Sequence, residues 1–346
     1  MPQQRELSRL YIDHQRVQAR IGAGVSAQAL AAWQRVSPTS LTASATAWLA
    51  AILTVIRRER TRSREAAASV YRLHRALETG YTLPLLAGES AGDSVTLGEL
   101  REDWAQYTDA PHVELPDDGE AVQVEEIEWP EEDITGQDAA AQTSLVVTGP
   151  VRAHQGIGRV SGGDQRGRLD DADFLEELES VMGDAGTSSA GAADREALRG
   201  GRDLLRDASR ADPRVIGWAR VTDGDPCSWC AMLASRGAVY RTREIAGIKG
   251  RTGRNAPPVE NPEDLHKYHD MCHCQTVPVY SRTAFIPEAS TQYARDWSQV
   301  TRGLAGAEAR AAWRRHIDGQ RRERRDAART AWRDHADTQA QARRAT

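Results

Sequence analysis

The chain has 346 residues, of which 27% are charged and 40% hydrophobic, with a formal net charge of −5. That is the balance of a soluble protein in two or three structural units, with enough chain for a real core. Aromatic residues make up only 5% and just 2 are Phe, which excludes a Phe-rich core and leaves Ala, Leu, Val and Trp to fill it. Of 45 basic residues only Lys249 and Lys267 are lysine. Such an Arg and Ala bias fits a GC-rich genome, so isolated arginines are not read as phosphate ligands. The N-terminal MPQQRELSRL lacks an apolar h-region, and the most apolar stretch, Trp48 to Ile56, is too short to span a bilayer. The expectation is an intracellular protein without a membrane partner, in which paired cysteines favour metal over disulfides.

Charge is unevenly spread. Between Glu99 and Asp138 there are 15 acidic residues against one basic residue, Arg101. Between Thr301 and Thr346 there are 12 arginines against 6 acids. An acidic middle and a basic tail point either to two solvated surfaces or to differently charged partners.

Residues 1–80 read as a helical bundle. Leu7, Leu10, Tyr11 and Val17 fall at helical spacing, and a second helix is expected from Ser26 to Val36. Ser37-Pro38-Thr39 breaks the chain. A long helix then runs from about Leu41 to Thr79 on the stripe Trp48, Ile52, Val55, Ile56, Val70, Leu73 and Leu77, with Gly80 at its C-cap. Residues 81–170 read as an acidic, Gly-rich arm or linker. Its periodicity fades except for one helix near Leu97 to Tyr107, and a strand or two could lie between Val113 and Thr135. Gly156 to Gly167 reads as a mobile stretch. Residues 171–212 read as two helices, one around Phe174, Leu178 and Met182 and one from Ala193 to Ser209, joined by a small-residue linker from Gly183 to Gly191.

Residues 213–283 hold every cysteine. A strand is expected from Val215 to Val221, a helix from Cys227 to Ser235 ended by Gly237, and a strand start at Val239-Tyr240. After a Gly/Pro/Asn-rich loop from Ile245 to Pro262, a strand from Gln275 to Tyr280 should pair with 215–221. Residues 284–346 form an Arg/Ala-rich helical tail, with Trp313 and Trp332 as expected anchors. The fold class is therefore mainly α: an N-terminal helical bundle, a small α+β zinc-stapled C-terminal module and a C-terminal helix.

Cys227-Ser228-Trp229-Cys230 is a C-x2-C pair, and His269-Asp270-Met271-Cys272-His273-Cys274 supplies H-x2-C-x-C. Each short pair can wrap one edge of a tetrahedral ion, and the long intervening loop closes through the metal. Four Cys, or three Cys plus His269, are the alternative ligand sets, so the candidate ligands are Cys227, Cys230, His269, Cys272 and Cys274. The expected cofactor is structural zinc, which would hold together a region poor in apolar residues. Reduced core thiols and a redox C-x2-C pair are the competing readings. Pro226-Cys227-x-x-Cys230 also matches half of the zinc deaminase signature. Its H-x-E half would be His112-Val113-Glu114, far upstream and outside any alternating strand-helix pattern. Gly88-Glu89-Ser90-Ala91-Gly92 fits G-x-S-x-G but lacks the parallel sheet which that motif requires, and reads as a turn.

Asp212-Pro213-Arg214, Gly217-Trp218-Ala219-Arg220-Val221 and Asp225-Pro226-Cys227-x-x-Cys230-Ala231-Met232-Leu233-Ala234-Ser235-Arg236-Gly237 form one block. With Tyr268-His269-x-x-Cys272-His273-Cys274 and Val277-Pro278-Val279-Tyr280, this block resembles the signature of minor head proteins of tailed phages that infect actinobacteria. It is similar to the C-terminal region of the phage Mu F-type head morphogenesis family. The resemblance covers about residues 210–280. It implies a minor capsid protein acting at or near the portal in procapsid assembly and DNA packaging or delivery. Its partners would be the portal protein and other head proteins, and no small-molecule substrate is expected. Its places would be the host cytoplasm during assembly and the head interior or portal vertex of the virion. Similar proteins are often labelled capsid maturation proteases. Ser90, Ser235, His269 and His273 are the residues available for that alternative, and nothing in the sequence pairs them. The remaining alternative is a nucleic-acid-binding module, with the Arg-rich tail reaching packaged DNA.

Overall fold

The computed structural model describes residues 2–86, 92–108, 119–162, 171–240, 268–282 and 288–344. The fold is mainly α. Helix α1 (Pro2–Trp33) runs unbroken through the position where the sequence suggests a second helix. A short 3-10 turn (Pro38–Ser40) leads into α2 (Leu41–Thr79). Gly80 ends α2 with φ 73°, and its N–H donates to the Ala76 carbonyl at 2.8 Å, the left-handed cap that glycine adopts without steric cost. The helical run Pro38–Thr79, which takes in the 3-10 turn and α2, holds an 18-residue window of mean hydropathy 1.6, long and apolar enough by length and composition to cross a membrane. It is longer than the stretch singled out from the sequence. Its Trp48, Ile52 and Ile56 pack into a core with Val25, Ala29 and Trp33 of α1.

In the weakly periodic middle of the chain, β1 (Tyr81–Thr82), β2 (Ser94–Thr96) and β3 (Ala121–Val124) make a small sheet in the order β1-β3-β2. Helix α3 (Leu97–Ala105) follows β2, started by a capping box between Thr96 and Glu99. Residues 134–161, where no helix is expected, are helical: α4 (Ile134–Val146), a five-residue π turn (Val147–Val151) at Pro150, and α5 (Arg152–Ser161). Proline lacks the N–H that an α-helical turn would use there, which accounts for the widened turn. Small residues hide this stretch from a periodicity reading, because two of its fully buried contacts, Ala141 and Ala153, are alanines beside Leu145.

Helix α6 (Ala172–Ala211) is the largest departure from the sequence reading. The Gly183 to Gly191 stretch is not a linker but the middle of one 40-residue helix. Its small residues are the points where other elements press against it. A Cβ on Gly186 would stand 2.5 Å from the Trp33 ring, and one on Gly201 would stand 2.7 Å from the Ser63 carbonyl. Gly200 is equally closed by the backbone of Arg60. Tertiary contact has overridden the low helix propensity of these glycines.

Three buried arginines, Arg60, Arg72 and Arg75, tie α2 to what surrounds it, Arg72 through the Leu83 carbonyl at 3.0 Å and Asp103. Arg60, 2% exposed, pairs with Asp138 at 2.9 Å and donates to the Glu196 carbonyl at 3.3 Å. Arg75, fully buried, pairs with Asp212 at 2.8 Å and with Glu125, while Arg214 donates to Glu125 at 3.1 Å. Tyr71 completes the group with a hydrogen bond to Asp212 at 3.0 Å.

The second sheet has β4 (Gly217–Val221) at its centre, antiparallel to both β5 (Ala238–Tyr240) and β6 (Gln275–Val279). Helix α7 (Ser228–Ala234) lies between β4 and β5 in the chain. After β6 come α8 (Glu288–Val300) and α9 (Gly306–Arg344). Trp313 of α9 is buried against Met232 of α7, and its indole N–H donates to the Ser228 carbonyl at 2.8 Å. Trp332, expected to anchor the tail as well, is instead 72% exposed. The loop 245–262, most of the G-x-S-x-G stretch and the His112-Val113-Glu114 triplet lie outside the described residues.

Gly200→Ala is expected to lower stability by about 1–3 kcal/mol, because the new methyl meets backbone rather than a movable side chain. Gly183→Ala, with nothing within 4 Å, should raise it by about 0.5–1 kcal/mol. Denaturant unfolding of the two variants gives opposite signs if α6 packs this way. Hydrogen bonds from Arg214 and Arg75 hold the Glu125 carboxyl down at about 2. Its contribution to stability is therefore complete above the ordinary value of 4.5 and is lost as pH falls toward 2. Glu125→Gln should flatten the decline in stability measured between about pH 5 and pH 3.

Candidate metal centre

The donor set is assembled from two places. Cys227 is the N-cap of α7, and its sulfur accepts from the Cys230 N–H at 3.4 Å. The second group lies on the run-in to β6, where Met271 adopts φ 58°, the left-handed region that a bulky side chain rarely occupies. This turn separates His269 from Cys272. Cys230, Cys272 and Cys274 are buried, and Cys227 is half-buried.

Cys230 is the hub. Donor atoms of Cys227, Cys230 and His269 lie within 4.8 Å of one another, as do those of Cys230, Cys272 and Cys274. The sulfurs of Cys230 and Cys272 are 3.5 Å apart. A tetrahedral ion with zinc–sulfur bonds of about 2.3 Å separates its sulfurs by about 3.8 Å, so this spacing suits such an ion with little movement. His269 shares its Nδ1 proton with the Asp270 carbonyl at 2.7 Å, which leaves Nε2 as the nitrogen that would take a metal once its own proton is lost. The structure thus gathers all five residues singled out by their spacing.

Hydrogen bonds within the cluster favour thiolates at Cys227 and Cys230. The Cys227 thiol is lowered to about 7, chiefly by its hydrogen bond with Cys230 and against the effect of burial. At Cys230 the bond with Cys227 opposes ionisation, but those with Cys272, Cys274 and His269 outweigh it and bring the thiol to about 5. Its thiolate in turn lifts His269 to about 9. Cys274, buried beside two other sulfurs, is pushed well up by Cys230 first and Cys272 second.

Sequence spacing gave no hint of the cation within the cluster. Arg220 of β4 is fully buried and reaches Cys230 Sγ at 3.3 Å and Cys272 Sγ at 3.9 Å. Burial works against its charge, and Tyr268 with the sulfurs of Cys230, Cys272 and Cys274 outweighs that effect, so its pKa is raised. The guanidinium groups of Arg202 and Arg220 both lie over the Tyr268 ring, 4.1 and 4.3 Å from its centroid, and Arg202 also donates to the Cys272 carbonyl. A guanidinium held among sulfurs needs a thiolate beside it, which Cys230 supplies, since neutral thiols alone would leave a buried charge uncompensated. Sulfur and imidazole donors gathered in this way are the chemistry that zinc takes.

His273, between two cysteines in sequence, is not part of the cluster. Its Nε2 lies 3.6 Å from Asp194 of α6 and its Nδ1 lies 3.9 Å from Asp223. Asp194 is 1% exposed, and its carboxylate occupies the space that a side chain at Gly22 of α1 would fill. Ser26 of α1, Gly191 of α6 and an Arg195–Asp270 ion pair also touch this loop. The cysteine module is therefore seated directly on the α1/α6 pair.

Residues 172–300 match the family described as VG15 protein. That span runs from the start of α6 to the end of α8, contains all four cysteines, and is less than half of the chain. The chain is 34% identical over 113 residues to the Gene 15 protein of Mycobacterium phage L5, covering 26% of this chain and 38% of that protein. It is 32% identical over 102 residues to the Gene 15 protein of Mycobacterium phage D29, covering 25% and 37%. The similarity is thus to bacteriophage proteins, over well under half of either relative's length. No solved structure matches the chain.

Replacing Arg220 with Leu removes the cation facing the sulfurs and is expected to raise the Cys230 thiol above about 5, read as a shift in thiolate ultraviolet absorbance with pH. Met271→Gly should raise stability by about 1 kcal/mol by relieving the left-handed turn, measured by thermal unfolding.

Proposed function

We propose that this chain is a minor capsid protein of a tailed phage, acting at or near the portal in procapsid assembly and DNA packaging. Its Cys/His module would hold one structural zinc ion. One observation carries the reading: the region similar to VG15 protein, 172–300, is the one that contains the cysteine cluster and the helix on which it is seated. The Mu F-type spacing C-x2-C and H-x2-C-x-C within that region supports the same assignment.

In this reading zinc would be held by the three cysteines Cys230, Cys272 and Cys274 with either Cys227 or His269. Bound zinc would supply a cross-link between the start of α7 and the run-in to β6. Arg220 would offset the excess negative charge of the thiolates, and His269 would be fixed by its Asp270 contact. The helical body would offer its surface to the portal and other head proteins. No observation favours the maturation-protease alternative. Ser235 donates to the Met232 carbonyl at 2.7 Å, His269 faces the cysteines, His273 faces two carboxylates, and Ser90 lies outside the described residues.

Two measurements test the two halves of this proposal. Elemental analysis of the purified chain should find one zinc per chain, lost in Cys230→Ser; zinc absent from wild type, or retained in that variant, refutes the metal assignment. Quantitative peptide mass spectrometry of purified virions should find the full-length chain in few copies relative to the major capsid protein. Its absence from virions, or recovery only as fragments, refutes the minor capsid role.

A further inference from the structure

Past the buried Trp313 and Ile317, the side chains of residues 322–333 of α9 are exposed. At 100° per residue, Arg310, Arg314, Arg322, Arg325, Arg329 and Arg333 fall within an arc of about 140° on one side of this helix. The buried Ala309, Trp313 and Ile317 occupy the other side. From Arg310 to Arg333 the stripe is about 35 Å long. Asp318 lies inside the arc, whereas Glu323 and Asp326 lie outside it.

Ion pairing leaves most of these arginines unaccounted for. Asp225 takes Arg321 at 3.1 Å and Arg324 at 2.8 Å, with Arg325 more loosely at 3.8 Å. Arg310, Arg314, Arg322, Arg329 and Arg333 have no ion pair among the described residues. The stripe also places like charges one turn apart, at Arg310–Arg314, Arg321–Arg325, Arg325–Arg329 and Arg329–Arg333. Each such pair destabilises an isolated helix by about 0.2–0.5 kcal/mol. A solvated helix stabilised by its own surface would alternate the signs. Trp332, 72% exposed, lies within the same arc.

A one-sided row of cations with mutual repulsion suits a partner that supplies a continuous row of anions. We propose that this stripe of α9 binds the phosphate backbone of duplex DNA, with Trp332 covered by the sugar-phosphate surface. Duplex DNA carries one negative charge per about 1.7 Å of axis, so its charge runs unbroken along the whole stripe. A protein acid cluster would match only part of it. The proposal does not depend on the head-assembly reading, and either can fail alone.

The test is binding of the full chain to a labelled duplex of about 20 base pairs and arbitrary sequence, about 70 Å long, at several salt concentrations. Affinity should fall steeply and log-linearly with salt. Replacing Arg322, Arg329 and Arg333 together with Gln should weaken binding by roughly tenfold or more and reduce the salt slope by about 3. Trp332→Ala should weaken binding with the slope unchanged. The control Arg9→Gln with Arg16→Gln, on α1, should change neither. All of the replaced arginines are exposed, and circular dichroism checks that the variants remain helical. Binding that is independent of salt, equal binding by the triple variant, or no binding at low salt overturns the proposal. Salt-sensitive self-association without DNA binding also overturns it, and assigns the stripe to the acidic segment of a second copy.

Discussion

The spacing between α6 and its two long neighbours is the constraint on which the other contacts depend. Glycine stands where α1 and α2 come closest, so the Trp33 ring and the backbone around Arg60 and Ser63 occupy the space that side chains would fill. Close approach lets short polar groups act between helices. Ser63 donates to Gln18 at 2.6 Å and accepts from the Gly201 N–H at 3.2 Å. It also encloses Arg60 and Arg75 so fully that their charges must be met by carboxylates and carbonyls from elsewhere in the chain. The acidic middle segment is partly explained by this: Asp138, Glu125 and Glu132 serve the arginines of α2.

The cysteine module inherits its position from the same helix pair. The turn carrying His269 to Cys274 rests on Gly191 and Ser26, and Asp194 holds His273 to one side. On the far side, β4 brings Arg220 into the sulfurs, and α9 holds the first turn of α7 through Trp313. Sulfur, imidazole and guanidinium therefore converge from elements that are distant in sequence. A cation at this point would connect α7 to β6 where few apolar side chains are available, and the buried arginine sets the local charge balance in favour of anionic sulfur.

The two ends of the molecule treat arginine differently. At Arg60, Arg72 and Arg75 of α2 it is an interior residue, partnered and desolvated. In the outer half of α9 it is a surface residue held beside its own kind. Composition alone assigns both to the same genomic bias, and only the surroundings distinguish a structural arginine from one oriented toward a partner.

Much of the local structure was legible in the sequence because its causes are local. The apolar stripe from Trp48 to Leu77 with its glycine stop defined α2. The β-rich runs 215–221 and 275–280 marked the strands that pair as β4 and β6. The cysteine spacing singled out the residues that cluster, because a two-residue separation constrains sulfurs regardless of what lies around them. What tertiary structure decided is what depends on neighbours far along the chain. Gly183 to Gly191 carries the signals of a linker and became the middle of a helix, since close helix contact rewards the absence of side chains. Trp313 and Trp332 look alike in sequence, but only Trp313 meets α7. His269 and His273 both lie close to the cysteines in sequence, yet one faces sulfur and the other faces Asp194 and Asp223. Arg220 stands in the signature block, but no spacing there ties it to the cysteines. Its role comes from strand pairing that places β4 beside a loop some fifty residues away, a long-range contact that no short spacing encodes.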